Sequence, residues 1–269
     1  MDERWLVAAI TGTAGLFAYG VWESFQVRLM RYELSSHRFP PTHNDFRIAH
    51  LSDLHMRRFG ARERKAVALV AQWRPHLIAL TGDITMWRRA LPAAETLFRH
   101  LAEIAPLFAV EGNGEAANHL TDTMADLLHR CGGHWLRNEA LPFRDGIWIA
   151  GTDDPHRRRA DAAKTLAKVP DDAFCILLAH SPDIIAQPAA LRADLILCGH
   201  THGGQVRFPL LGAIYIRARK IPRAYAWGCH RLPNGTTLIT TSGVGTTRLP
   251  IRFLCPPEIV GITIRNLSV

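Results

Sequence analysis

The chain has 269 residues, of which 48% are hydrophobic, 21% charged and 8% aromatic, a composition that supports a folded core and excludes a disordered or low-complexity protein. Its formal charge of +8 points to anionic partners, and phosphate substrates, nucleic acid or an acidic membrane surface would each satisfy it. Five scattered cysteines without a CxxC pair argue against a disulfide framework or a zinc knuckle; they read as small buried hydrophobes in a reducing compartment.

The first predicted element is Trp5–Trp22, WLVAAITGTAGLFAYGVW, eighteen residues without a charge. As a helix it reaches about 27 Å, close to the hydrocarbon thickness of a bilayer. A signal peptide and a surface helix are the alternatives, but MDER is poorly basic and neither a small-residue cleavage site nor a twin arginine accompanies it, which favours an uncleaved anchor. Arg28 and Arg31 follow the segment and only Arg4 precedes it, so the positive-inside rule puts the remainder in the cytoplasm. The expected division is 1–24 as an anchoring helix, 25–45 as a linker and 46–269 as one globular domain.

From Phe46 onward, short apolar runs alternate with stretches of helical period, which is the pattern of an α/β domain. The runs are residues 46–51 before SDLH, 77–80 before TGD, 107–110 before EGN, 147–150 before GTDD, 174–178 before AHSP and 195–198 before GHTH. Helical spacing predicts helices over 62–73, 93–104 and 116–130, the last closed by Gly132-Gly133. Farther on, 224–229 and 236–241 flank the turn Leu232-Pro233-Asn234-Gly235 as a hairpin, and 259–264 makes a final strand.

In open α/β sheets, ligands bind beyond the carboxyl ends of the strands, and there the chain carries Asp53, His55, Asp83, Asn113, His180, His200 and His202. Two carboxylates, four imidazoles and an amide suit Mn²⁺, Fe²⁺ or Zn²⁺ and are too rich in nitrogen for Ca²⁺. The i, i+2 pairs Asp53/His55 and His200/His202 can each aim two side chains at one point. If Asp83 bridges, the set divides into two four-coordinate shells, and a pair of ions about 3.5 to 4 Å apart can clamp both oxygens of a displacement at phosphorus.

The order SDLH, TGD, EGN, AHSP, GHTHGGQ resembles the calcineurin-like metallophosphoesterase superfamily, over roughly residues 46 to 265. The resemblance implies a four-layer α-β-β-α double β-sandwich, here preceded by the N-terminal membrane helix, with two metals at the strand ends, Mn²⁺ first among the options. It also implies that Asp53, His55, Asp83 and His202 hold one ion, and Asp83, Asn113, His180 and His200 the other; Asp83, Asn113 and His180 are the residues expected to matter most for catalysis. HTHGGQ and GTDDP look most like the small bacterial membrane-associated branch, which includes phosphodiesterases and enzymes that cleave UDP-2,3-diacylglucosamine in lipid A synthesis. The anchor would then lie in the inner membrane with its domain facing the cytoplasm.

Two family features are missing. The family reads GNH followed by Asp or Glu, with the histidine near the leaving-group oxygen, and this chain has Gly114; the aspartate that orients that histidine is replaced by Met86. General acid catalysis is worth about 10²- to 10⁴-fold for a poor leaving group, whereas a phosphate monoester leaving from a pyrophosphate has a second pKa near 6 and can depart unprotonated. The double departure therefore favours a phosphoanhydride substrate. His119 is a possible substitute, but it falls on the helix that follows.

Arg57-Arg58, Arg88-Arg89 and Arg157-Arg158-Arg159 each follow a strand-end motif; Arg57, Arg58, Arg88 and Arg157 are the expected phosphate contacts, against the alternative of solvated loop charge. The run from Val206 to Ile216, followed by Arg217, Arg219, Lys220 and Arg223, suits a lipid joined to an anionic head, the membrane surface, or a core strand with a basic edge. Nucleic acid fits poorly, because the aromatics are not interleaved with the basic residues. The leading expectation is a two-metal phosphohydrolase acting on an anionic lipid-linked or nucleotide substrate such as UDP-2,3-diacylglucosamine. A membrane-associated phosphodiesterase is the alternative, and a decayed phosphate-binding module the third.

Overall fold

The computed structural model describes residues 3–218 and 220–268, excepting the side chains of residues 3 and 5–10. Its strands in chain order are β1 (Arg28–Ser36), β2 (Phe46–Leu51), β3 (Leu77–Thr81), β4 (Leu107–Val110), β5 (His134–Trp135), β6 (Glu139–Arg144) and β7 (Ile147–Gly151). They continue with β8 (Phe174–Leu178), β9 (Leu195–Cys198), β10 (Arg207–Phe208), β11 (Gly212–Ala213), β12 (Gly228–Arg231), β13 (Thr237–Thr240) and β14 (Glu258–Asn266). The helices are α1 (Glu3–Glu23), α2 (Ala61–Trp73), α3 (Leu91–Ala102), α4 (Asn113–Ala117), α5 (Thr121–Arg130) and α6 (Ala162–Leu166).

Two six-stranded mixed sheets result, ordered β1-β14-β2-β3-β4-β5 and β12-β13-β9-β8-β7-β6. Their inner strands are apolar on both faces because both faces are covered. In β2 and β3, Phe46, Ile48, Leu77 and Ala79 point into the space between the sheets, where they join Ile149, Ile176 and Leu197 from the second sheet. The alternate residues Ala49, Leu51, Ile78 and Leu80 meet Ala66, Leu97 and Leu128 from α2, α3 and α5. On the outside of the second sheet, Leu177 and Ile196 pack with Leu166 of α6 and Ile184. The order is thus helix, sheet, sheet and short helix, the four layers expected, and the carboxyl ends of β2, β3, β4, β8 and β9 open at one rim.

Several boundaries differ from expectation. Residues 25–45, expected as a linker, contain β1, which pairs in parallel with β14 along the edge of the first sheet; its faces alternate half-buried and exposed, so it lacks the continuous apolar run that marks the inner strands. The single helix expected over 116–130 is broken into α4 and α5 at His119, whose backbone is left-handed (φ 53°), with Asn118 donating its side-chain amide to the Gly114 carbonyl. The strand expected over 224–229 begins as a 3₁₀ turn, Arg223–Ala226, before β12 pairs with β13.

The carboxyl half of α1 rests on residues 251–255: the Arg252 amide donates to the Gly20 carbonyl, and Tyr19 meets Phe253 edge-on at 5.5 Å. Among the described residues no helix is long and apolar enough to cross a membrane, and the side chains of Trp5–Ile10, a third of the expected span, lie outside those residues. Below α1, Arg252 is fully buried and donates to the carbonyls of Ser242, Gly243, Gly245 and Cys255. Arg252→Leu would strand those acceptors in an apolar pocket, and loss of charged hydrogen bonds of this kind costs about 1.5–3 kcal/mol each; a loss of at least about 3 kcal/mol in denaturant unfolding is expected.

Candidate metal centre

Five of the seven strand-end residues hold left-handed backbone conformations that non-glycine residues rarely adopt: Asp53 (φ 52°), His55 (φ 43°), Asp83 (φ 51°), His200 (φ 68°) and His202 (φ 52°). Such residues persist only where the surroundings over-determine them, and here they turn side chains that would otherwise follow the strand direction into a common space. The surroundings are visible. The segments after β2 and β3 continue the ladder through Asp53 N–H to the Gly82 carbonyl, His55 N–H to the Asp83 carbonyl and Met56 N–H to the Ile84 carbonyl. Glycines allow the tightest approaches: a Cβ on Gly199 would lie 2.2 Å from the Asp53 carboxylate, and one on Gly112 2.2 Å from the Asp83 amide.

All seven side chains converge. His55 Nε2 lies 3.1 Å from His202 Nε2, and Asp53 Oδ1 lies 3.5 Å from His202 Nε2 and 3.9 Å from His55 Nε2. On the other side, His180 Nε2 lies 3.0 Å from His200 Nδ1 and 3.2 Å from Asn113 Oδ1. One oxygen, Asp83 Oδ2, stands between the halves, 3.5 Å from His55 Nε2 and 3.6 Å from His180 Nε2. Groups 3.0 to 3.9 Å apart are spaced as neighbours around a divalent ion with bonds of about 2.0–2.2 Å. The triads Asp53–His55–His202 and Asp53–Asp83–His180 each bring their donor atoms within 4.8 Å of one another.

The donor chemistry fits a cation. His180 Nδ1–H donates to the Thr81 carbonyl at 2.7 Å, which leaves Nε2 facing Asn113 Oδ1 and Asp83 Oδ2. Asp53 Oδ1 is buried with no hydrogen-bond partner, while Asp53 Oδ2 accepts the His200 amide at 2.8 Å. An unpaired buried carboxylate oxygen is costly unless a cation completes it.

Electrostatics divide the four histidines. Burial pushes His55, His200 and His202 below the usual imidazole range, and the neutral ring is the form that binds metal. Burial also acts to lower His180, but the carboxylates of Asp83, Asp53 and Asp154 outweigh it and raise the ring to about 9. For Asp83 burial is overcome by His180, His55 and the Gly114 amide, which hold it below the usual carboxylate range; Asp53 is raised, by burial first. This asymmetric pair of buried acids keeps Asp83 ionised at the junction of the two halves.

The two departures from the family pattern adjoin in space. Gly114 donates its amide to Asp83 Oδ1 at 2.6 Å, and a Cβ there would lie 3.5 Å from Met86 Cβ. His119 is exposed on the turn between α4 and α5 and does not replace the missing histidine. Arg57 and Arg58 line a cleft of about 990 Å³ that begins at His55, whereas Arg88 and Arg157 are exposed on 3₁₀ turns and do not line it. Arg159, from the same cluster as Arg157, forms ion pairs with Glu111 and Asp153.

Sequence reasoning did not single out Glu115, Asp154 or the cleft residues Arg62, Trp87 and Arg248. Glu115 is fully buried, and its carboxylate accepts the amides of Asp83, Ile84, Thr85 and Gly112 at 2.7–3.0 Å, tying the end of β3 to that of β4. Its place after Gly114 in the motif was the available signal. Asp154 is fully buried too, one oxygen capping the Pro155–Arg157 turn and the other unpartnered; the doubled acid of GTDDP was its signal. The cleft arginines come from distant segments, with no local cue.

Comparisons with known proteins agree with this geometry. The model of the calcineurin-like phosphoesterase family matches residues 46–204. A Bacillus subtilis metallophosphoesterase, YkuE, is 29% identical across 98% of this chain and 94% of its own length. The Escherichia coli phosphodiesterase YaeI is 31% identical across 85% of this chain and 86% of its own. A Danio rerio transmembrane protein with a metallophosphoesterase domain is 29% identical across 98% of this chain, which spans 63% of that longer protein. The chain is therefore a member of the calcineurin-like phosphoesterase family, the metal-dependent hydrolases of phosphoesters.

Proposed function

We propose that the protein is a two-metal hydrolase acting at a membrane surface on an anionic substrate that carries an apolar part, cleaving a pyrophosphate bond, with UDP-2,3-diacylglucosamine as the specific expectation. The observation that carries this reading is the cleft. It is lined by His55, by Arg57, Arg58, Arg62, Arg217 and Arg248, and by the apolar side chains of Val21, Phe25, Met86, Leu249 and Pro250. Guanidinium groups match phosphate oxygens bidentately, and the apolar part of the lining suits a lipid portion. Arg57 stacks over the Trp87 ring at 4.4 Å, which holds its fork towards the cleft.

Asp53, His55, Asp83 and His202 would hold one ion and Asp83, Asn113, His180 and His200 the other, with Mn²⁺ ahead of Fe²⁺ or Zn²⁺. Such ions supply Lewis-acid polarisation of phosphoryl oxygens and an activated water. The chain itself supplies orientation. Asp83 Oδ2 is kept ionised at the midpoint, the Thr81 carbonyl fixes the His180 tautomer, and the arginines stabilise charge on the departing phosphate. No histidine stands at Gly114 and no acid at Met86, so the leaving oxygen must depart without the family's proton donor, which favours a low-pKa phosphate over an alkoxide. The name of the relative YaeI favours a second reading, a phosphodiesterase on phospholipid or nucleotide diesters. The name of the Danio rerio relative supports the membrane setting.

Three outcomes test these readings. Asp83→Ala should abolish turnover and most of the bound metal measured by elemental analysis; wild-type turnover by the metal-free variant would overturn the two-metal reading. With Mn²⁺, release of UMP from UDP-2,3-diacylglucosamine should exceed phenolate release from an aryl phosphodiester by about 10²-fold or more, the scale of a general acid's contribution; the reverse order would select the phosphodiesterase. Glu115→Ala, which touches no ion but frees four backbone amides, should weaken metal binding in calorimetry by about 10- to 100-fold, and Glu115→Gln should recover part of that loss.

A further inference from the structure

We propose that the β10–β11 hairpin is a wedge that inserts into an anionic lipid bilayer, seating the mouth of the cleft at the headgroup level. This deepens the membrane-surface reading above and rests on it for the bilayer, while the depth of the hairpin is measured separately. The hairpin belongs to neither large sheet. Arg207 pairs with Ala213 and Phe208 with Gly212, leaving Pro209-Leu210-Leu211 as its tip. Leu210 is fully exposed (108%) and Leu211 nearly so (83%). Leu210 is also held in the left-handed region at φ 67°, an unusual place for a leucine and one that keeps the tip from folding its side chains back onto the body.

The base of the hairpin is rigid. Arg207 N–H donates to the Phe253 carbonyl, the Arg207 guanidinium donates to the Gly203 carbonyl and stacks over Trp227 at 4.8 Å, and Arg223 donates to the Ala213 carbonyl. The same segment connects the tip to α1, because the Phe253 ring touches Phe208 at 5.7 Å and Tyr19 at 5.5 Å. Phe208, Leu210, Leu211, Ile214 and Tyr215 are all exposed, so the hairpin and the segment just after it form one apolar patch. A contiguous exposed apolar patch marks a site of membrane or protein contact.

Charge decides between these occupants. From Leu195 to Pro257 the chain has eight Arg or Lys residues and no Asp or Glu. Arg217, Lys220, Arg223 and Arg248 are at least partly exposed around the patch, while Arg219 lies outside the described residues. A second copy meeting this face symmetrically would set basic residues against basic residues. The anionic headgroups of a bilayer complement the ring of arginines while its acyl region takes the leucines.

The test uses the full chain with vesicles of phosphatidylcholine and phosphatidylglycerol. A polarity-sensitive fluorophore is attached at Leu211→Cys and, as control, at Asp171→Cys, whose side chain is 96% exposed at the opposite, amino-terminal end of β8. The unsubstituted chain gives the background from native cysteines. Quenching by lipids bearing nitroxides in the acyl region should be at least about threefold stronger at 211 than at 171, with a blue-shifted emission at 211 only. Equal quenching at both positions on vesicle-bound protein would overturn the proposal, as would failure of the chain to bind the vesicles. Leu210→Ser/Leu211→Ser should lose hairpin-dependent vesicle binding by about fivefold or more and keep the rate on a soluble aryl phosphodiester; a matching fall in that rate would count against the wedge. Inactivity on every phosphorus substrate would refute the enzymatic reading and leave the depth measurement intact.

Discussion

The rest of the structure depends on one arrangement: two carboxylates, four imidazoles and an amide buried together at a shared rim. An apolar interior would disperse such a set, since each group loses its water and atoms such as Asp53 Oδ1 gain no hydrogen bond in return. The fold instead forces it together. Left-handed backbone at Asp53, His55, Asp83, His200 and His202 aims the side chains inward, and glycine at 112 and 199 allows the strand ends to approach. Glu115 then binds four amides across that approach. A cation bound here would complete the unpartnered acceptors, which would link stability to metal binding.

Much of this was legible in the sequence because the inner strands are covered on both faces and read as unbroken apolar runs. Position relative to those runs separates site from core. His50 is as buried as His180, yet it lies within β2, bonds to the Thr81 hydroxyl at 2.8 Å and is held neutral by burial, with a pKa of about 3; the histidines of the centre all stand just past a run. Edge elements were less legible. β1 has one half-buried face and reads as linker, and a single left-handed residue at His119 divides a stretch whose helical spacing is continuous.

Arginines show the opposite failure. Clusters after strand-end motifs were the cue for phosphate contacts; Arg57 and Arg58 line the cleft, Arg88 and Arg157 do not, and Arg159 neutralises Glu111 and Asp153. Besides Arg57 and Arg58, the cleft takes its cations from α2, from the loop after β11 and from the segment before β14. Each of those arginines is isolated in sequence or sits in a stretch with another evident use. Arg252 is the extreme case: one arginine in an apolar stretch with no local cue to its role, it is the fully buried hub that supports the α1 contact. Local charge density reports solvation, and only the packing of distant segments reports a binding surface.

Gly114 and Met86 link the chemistry to the cleft. Losing a histidine and its aspartate removes a proton donor, and it also removes two polar groups from the wall beside His55; Met86 and Trp87 stand there instead, next to Arg57. Drift would be expected to replace one member and strand the other as an unpaired buried polar group. The two vacancies adjoin, the Gly114 amide is satisfied by Asp83, and neither position keeps a polar side chain. Under the proposed function both consequences serve one substrate: a phosphate that leaves without a proton needs no acid at 114, and an apolar group beside it is better met by methionine than by a carboxylate.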